Sequence, residues 1–349
     1  MKKQIMTLLL SFIILGSIES VYATTEAPSI EDTMRDKENT VKINILDQAT
    51  KNEDNELVTE SITEHENKIS SMNQNQKVNI NKNHPENINF QFKSDMDDNW
   101  YEVNLKLPLE TKQTDVVNDV ILQENISNNY SITNEIFDGG IRTSFLIEND
   151  NAPKEYPIHF DLPEGSYLRF AKTINPDTNK EETDGSIEII NKNGDILGAI
   201  GSAWARDFYG KEVKTYYRIE NQSTLVQVVE HDNNLCKYPI VADPTAQYRK
   251  WFSKTKWVKK SKGWTLAVYR TGQLVTDATQ RGKLASVANA SWKTLYAQHK
   301  NDKHWKNTGG MKDQYICHVY YARPKAPWNL DVWRPNVSYA QTVAKACNP

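Results

Sequence analysis

Apolar side chains recur at every second position through the middle of this chain, and that period constrains its fold more than any other feature. Tyr101, Val103, Leu105 and Leu107 alternate with Glu102, Asn104 and Lys106. Val213, Thr215, Tyr217 and Ile219 repeat the pattern, ahead of a turn at 221–223 and a further strand at 225–231. Two isoleucine-rich runs flank Asn193-Gly194, a dipeptide suited to a tight hairpin. A period of two places alternate side chains on one face of a strand. Residues 96–245 are therefore read as an all-β, sandwich-like domain. Tyr238-Pro239-Ile240-Val241-Ala242-Asp243-Pro244 closes it, because two prolines impose an extended boundary.

Charge divides the chain at the same boundary. The total over 349 residues is only −3, but residues 246–349 hold 19 Lys+Arg against four acids (Asp277, Asp302, Asp313, Asp331), a net of +15. Residues 96–245 carry −13 and residues 24–95 carry −6. Seven of the nine tryptophans also fall in the basic part, which separates it further from the acidic part. Residues 24–95 contain no Gly, Trp, Tyr or Cys, and only Phe90 and Phe92 as aromatics. So polar a stretch is expected to bury too little apolar surface to offset its ordering entropy. It reads as a disordered acidic pro-region or spacer, with helical turns at 60–72 as its candidate structure.

The first 23 residues read as a secretory signal peptide. Met1-Lys2-Lys3 is a short positive start, an apolar run from Ile5 to Ile18 follows, and Val21-Tyr22-Ala23 supplies a cleavage site before Thr24. The run is shorter than the roughly 20 apolar residues of a membrane span. The expected product is secreted, either released or held at the cell wall. Export permits disulfides. Three cysteines allow three pairings with one thiol left over. Cys317 and Cys347 both lie in the basic segment, and their surroundings favour joining them. Tyr315, Cys317, Val319 and Tyr321 are read as one face of a strand. Ser338 and Gln341 form a capping-box start for a last helix, whose inward face would hold Ala340, Val343, Ala344 and Cys347. With Trp264, Leu266 and Val268 on a strand and an amphipathic helix over 277–299, residues 246–349 are expected to form a small α+β domain closed by the disulfide. Cys236 is then the spare thiol.

Gly310-Met311-Lys312-Asp313-Gln314-Tyr315-Ile316-Cys317-His318, Trp328-Asn329-Leu330-Asp331-Val332-Trp333-Arg334-Pro335 and Thr342-Val343-Ala344-Lys345-Ala346-Cys347-Asn348-Pro349 together carry a resemblance. Residues 185–349 resemble a family of secreted Gram-positive bacterial proteins whose C-terminal domain is a domain of unknown function. The resemblance implies secretion and the cysteine pair, and it supplies no activity.

The basic domain points to an anionic partner. Lys254, Lys256, Lys259, Lys260 and Lys262 crowd one stretch with Trp251, Trp257 and Trp264 interleaved, and Arg334 adds a further cation. Cations beside aromatics suit phosphate polymers, glycans and anionic membrane surfaces. For an exported protein these come ahead of nucleic acid. The −19 of residues 24–245 could mask the +15 domain until cleavage near 243–249, the layout of a bacteriocin-like precursor. Trp328, Asn329 and Trp333 are candidate ligand contacts. His318 with Asp313 and Asp331 is the candidate general base with its carboxylates, which would suit a hydrolase-type toxin acting on a phosphate-bearing substrate. The competing reading of His318 is a hydrogen-bonded core residue. His299 and His304, with Asp302 between them, read as surface groups rather than metal ligands, so no metal and no cofactor is expected. The sequence lacks a Gly-x-Ser-x-Gly elbow, a His-Glu-x-x-His helix, a phosphate loop and a dinucleotide fingerprint. The leading expectation is a non-enzymatic secreted binding protein or effector, with a structural cell-envelope protein as the plainer alternative.

Overall fold

The computed structural model describes residues 29–50, 59–94, 99–125, 129–174, 181–183, 185–194, 196–232, 234, 236–247, 251–270, 272–279 and 284–349. The expected signal peptide and residues 248–249 of the expected cleavage region, 243–249, lie outside the described residues.

Two large antiparallel sheets make up most of the protein. The eight-stranded sheet runs from Thr63–His65 through Lys68–Met72, Gln76–Asn81, His84–Lys93, Trp100–Lys106, Glu155–Asp161 and Thr224–Val229 to Thr215–Asn221. The ten-stranded sheet runs from Tyr167–Phe170 through Ile187–Ile190, Ile196–Ile200, Thr245–Gln247, Gly140–Ile147, Tyr130–Phe137 and Val120–Asn125 to Thr111–Val117; Trp204–Arg206 and Ile240–Asp243 pair beside its centre. One continuous apolar cluster takes side chains from both sheets, so they form a sandwich. Tyr156 of the first sheet packs against Phe145 and Tyr130 of the second, with ring centres 4.5 and 5.2 Å apart.

The hairpin expected at Asn193-Gly194 is present. The Asn191 side chain accepts from the Asn193 amide at 2.9 Å, and Gly194 adopts φ +82°, a conformation that favours glycine. The turn at 221–223 is also present, held by the Ser223 amide donating to Asn221 Oδ1 at 2.9 Å.

The disordered reading of residues 24–95 is corrected for the residues described there, 29–50 and 59–94. Ile30–Thr50 is a helix and four strands lie between Thr63 and Lys93. The candidate turns at 60–72 are strand rather than helix. Average composition misled because Gln76–Asn81 and His84–Lys93 are polar on one face only. Ile69, Val78, Ile80, Ile88, Phe90 and Phe92 point into the sandwich and are all at most 2% exposed. The outer face carries an asparagine ladder, in which Asn89 Nδ2 donates to Asn104 Oδ1 at 2.7 Å.

Strand pairing runs across the boundaries expected at 95 and 245. Residues Asn39–Pro349 form one compact unit, apart from Met1–Glu38. The strand His84–Lys93 pairs along its length with Trp100–Lys106, across the expected first boundary. The basic segment has its own three-stranded sheet, Phe252–Lys260, Gly263–Arg270 and Trp328–Asp331, with helices Gly272–Thr279, Leu284–His299, Thr308–Tyr321 and Tyr339–Ala344. Its core nevertheless includes Ile190 and Ile196 of the ten-stranded sheet. Asn289 Nδ2 also donates to the Lys172 carbonyl at 2.8 Å. Apolar strands buried on both faces are what join the two parts.

The expected Cys317–Cys347 disulfide is present, with Cα atoms 5.4 Å apart across a separation of 30 residues. Cys236 is a free, buried thiol, and burial pushes its pKa up. The strand expected around Cys317 is instead the helix Thr308–Tyr321. Tyr315 and Val319 satisfy both periods; Met311, Gln314 and His318 are buried and Tyr321 is exposed, which only a helix explains. Asn307 caps it, accepting from the Gly310 amide. The helix expected over 277–299 is described as two, Gly272–Thr279 and Leu284–His299. The capping box of Ser338 and Gln341 is formed as read. The inward side chains that follow are Thr342 and Cys347, whereas Ala340 and Ala344 face solvent.

Candidate functional site

The strand Phe252–Lys260 organises the basic domain's surface. Lys254, Lys256, Lys259, Lys260 and, just beyond it, Lys262 are all exposed. Aromatic rings support several of them. Lys256 Nζ lies 5.8 Å from the Tyr269 ring centre, Lys259 Nζ 5.4 Å from Trp264, and Lys262 Nζ 5.3 Å from Trp333. Among the described residues, no acid lies within ion-pair distance of Lys254, Lys256, Lys259 or Lys262. Lys260 differs, with Nζ 3.4 Å from Asp331 Oδ1.

Arg334 is part of the framework rather than of this lysine group. Its Nε donates to Asp331 Oδ2 at 2.7 Å, and its Nη1 donates to the carbonyls of Asn348 and Pro349, each at 3.0 Å. Thr265 Oγ1 also donates to Asp331. Burial alone would raise the Asp331 carboxyl; the Thr265, Arg334 and Lys260 interactions outweigh it and hold its pKa below the ordinary value.

Trp328 cannot contact a ligand. It is fully buried, and its Nε1 donates to the Ala322 carbonyl at 3.1 Å. Asn329 and Trp333 are partly exposed. Trp333 closes over the turn at Gly263, where a Cβ would come within 2.7 Å of its ring.

The His318 constellation is not assembled. His318 is 1% exposed and its Nδ1 donates to the Gln314 carbonyl at 2.7 Å, inside its own helix. Burial lowers its pKa. Asp331 is held by Thr265, Lys260 and Arg334, and among the described residues no carboxylate is hydrogen-bonded to the imidazole. Asp313 is half-buried elsewhere on the helix, and burial raises its carboxyl. Cys317, Gln314 and His318 are core residues, which is the structural reading of this histidine.

A different group comes together where the lysine strand meets the end of Leu284–His299. His299 Nδ1 lies 2.7 Å from Asp302 Oδ2, and His299 Nε2 lies 2.9 Å from Thr255 Oγ1. Trp257, two positions along the strand from Thr255, donates Nε1–H to the same Asp302 oxygen at 2.7 Å. Strand alternation thus aims Thr255 and Trp257 at one helix end, while the turn after the helix returns Asp302 to His299. Burial would raise the Asp302 carboxyl, but the bonds from Trp257 and His299 hold its pKa low. A carboxylate only accepts, so in the neutral form of His299 the proton sits on Nδ1 and Nε2 accepts from the Thr255 hydroxyl. Trp305 lies parallel to the imidazole, with ring centres 6.5 Å apart. An open hollow beside the group is lined by Phe252, Lys254, Thr255, Gln298 and His299. Nearby, His304 stacks on Trp264 at 3.7 Å, and burial together with Lys303 and Lys259 lowers its pKa.

The sequence held a partial signal for this group, the His-x-x-Asp spacing after a helix. Thr255 carried none, because its partner lies 44 residues away and only the packing of strand against helix joins them. Among the described residues no three His, Cys, Asp or Glu side chains gather as a metal site.

Residues 252–349 match the family described as "Protein of unknown function (DUF2599)", so the C-terminal region is a DUF2599 domain. Uncharacterized proteins of Mycobacterium bovis and of Mycobacterium tuberculosis are 34% identical to this chain over 99 residues. The aligned stretch is 27% of this chain and 63% of each relative, so the chain spans less than two thirds of the curated relatives it matches. A glycoside hydrolase family 81 structure from Clostridium thermocellum aligns with 63% of this chain and 30% of its own, at 8% identity and a TM-score of 0.26, too low to carry an argument. The residues matched by the family, 252–349, hold the disulfide, the lysine strand and the Thr255–His299–Asp302 group.

Proposed function

We propose that this is an exported protein whose C-terminal domain holds an anionic cell-surface polymer against the lysine strand. The observation that carries the reading is the set of four exposed lysines, Lys254, Lys256, Lys259 and Lys262, with no ion-pair partner among the described residues. Two of the domain's four carboxylates, Asp302 and Asp331, are committed to internal hydrogen bonds. Rings under Lys256, Lys259 and Lys262 give a bound chain apolar surface beside each charge.

The intact chain is the binding form in this reading. Ile190 and Ile196 of the acidic sandwich belong to the basic domain's core, and Thr245–Gln247 is an internal strand of the ten-stranded sheet. Cutting at that strand would expose apolar surface rather than free a finished fragment.

The test is a binding isotherm of the full chain with poly(glycerol phosphate), with neutral dextran and anionic phospholipid vesicles in parallel. Binding to the phosphate polymer and not to dextran is expected. Preference for vesicles over the polymer would move the reading to a membrane surface, and equal binding to dextran would refute charge recognition.

A further inference from the structure

We propose that Thr255, His299 and Asp302 form a nucleophilic site that cleaves carboxylic esters, with the anionic polymer as the carrier of the ester. The carrier rests on the binding reading above; the chemistry rests on the geometry of the three side chains alone.

A hydroxyl becomes a useful nucleophile when a neutral imidazole is placed to take its proton and a carboxylate fixes that imidazole's tautomer. The geometry these requirements call for is present here. Thr255 Oγ1 is 2.9 Å from His299 Nε2, and Asp302 Oδ2 is 2.7 Å from His299 Nδ1. The bond from Trp257 Nε1 to Asp302, at 2.7 Å, holds the carboxylate in place. The hydroxyl and the imidazole both line the hollow, so a substrate can approach the pair that would react. Lys254 lines the same hollow, where its charge meets an anionic carrier and the oxyanion that develops on attack. His299 and Asp302 are three residues apart around a turn, so their pairing alone would be unremarkable; their alignment with a hydroxyl from a distant strand, at an open hollow, is what a structural pair does not require.

The step balances with water as the second reactant. Thr255 Oγ bonds to the ester carbonyl carbon, its proton passes to His299 Nε2, and the carbonyl oxygen becomes the oxyanion. As the bond to the ester's alcohol oxygen breaks, that oxygen takes the proton from His299 and leaves as the alcohol. Water then adds to the acyl group with His299 as base, releasing the carboxylic acid and restoring the Thr255 hydroxyl.

The experiment uses the full chain and an uncharged fluorophosphonate ester, so its outcome does not depend on polymer binding. Attack forms a bond from Thr255 Oγ to phosphorus and expels fluoride, and the adduct is read by intact mass and located by peptide mapping. The expected result is a single adduct on Thr255 in the native chain, none in Thr255→Val, and retained labelling in Thr255→Ser. His299→Asn and Asp302→Asn should label on the order of 10³-fold more slowly or less, as when a triad member is removed. Near-UV circular dichroism of the tryptophans checks that each variant is folded, and Thr255→Ser keeps the test open should Thr255→Val fail to fold. No adduct on the folded native chain, an adduct on another residue, or an undiminished rate in folded His299→Asn would overturn the proposal. Labelling at Thr255 without binding to poly(glycerol phosphate) would leave the nucleophile standing and remove only the carrier.

Discussion

The acidic sandwich and the basic C-terminal domain handle charge in opposite ways. In the sandwich, carboxylates meet cations. Glu135 and Arg142 form a two-pronged pair at 2.6 Å, buried across adjacent strands, and Glu188 is buried against Arg169 at 2.8 Å. On the surface Arg218 pairs with Glu155, and Lys214 with Glu230. In the basic domain two of the four acids organise the interior instead: Asp302 gathers Trp257 and His299, and Asp331 gathers Thr265 and Arg334. Lys254, Lys256, Lys259 and Lys262 are left to solvent, while Asp331 also pairs with Lys260 and Arg334. Acids of the sandwich meet cations at the surface, whereas Asp302 and Asp331 are anchored in the interior of the basic domain. Net charge becomes a functional property only where the acids have been withdrawn from the surface.

That contrast sets the order of the expected effects. The largest belongs to the sandwich. Arg142→Met strands a buried carboxylate and should cost about 3–5 kcal/mol in denaturant unfolding; a loss below 1 kcal/mol would mean that the pair is not what neutralises Glu135. In the basic domain the comparable constraint is covalent. The double change Cys317→Ser with Cys347→Ser should cost roughly 3–4 kcal/mol by the loop-entropy argument. Tryptophan fluorescence should report it most strongly, since seven of the nine tryptophans lie there.

The next effect depends on pH. Burial lowers the folded-state pKa of His318, so the unfolded chain binds a proton that the folded chain resists. Its contribution to stability is fully present above the ordinary value of 6.5 and is lost as pH falls from there through the depressed folded value. His318→Gln should flatten that part of the stability profile, measured as urea midpoints between acid and neutral pH. An unchanged slope would remove the buried imidazole as its source. Ser338→Ala should then cost about 1 kcal/mol by opening the capping box. The smallest effect on stability per site is expected from changing Lys254, Lys256, Lys259 and Lys262 to Gln, within about 0.5 kcal/mol each. A large loss there would show that these lysines hold the fold together.

The two regions also differed in how far they could be read from sequence. Period-two runs and Asn193-Gly194 located the hairpins because both signals are local. The strands between Thr63 and Lys93 escaped, since asparagine-rich outer faces diluted the inward isoleucines and phenylalanines in any average over composition. The capping box was legible from two residues, and the disulfide was correct although one of its two flanking elements was mistaken for a strand. That mistake arose because Tyr315 and Val319 fit either period, and only the burial of Gln314 and His318 separates the two. Of the candidate site, lysine exposure was legible as charge density. The internal partners of Trp328 and Arg334 were not legible, because a sequence shows what a side chain can bind and not what already surrounds it. The Thr255–His299–Asp302 group was hidden for the same reason.

The central claim is that unneutralised lysines make the basic domain a binding surface for a phosphate polymer. Its most direct test is the salt dependence of poly(glycerol phosphate) binding by the native chain and by the four-lysine variant. Four contacts of this kind should give log affinity falling with log salt at a slope of about −3, and the variant should lose most of that slope. A native slope near zero, or a variant that keeps the full slope, would contradict the account.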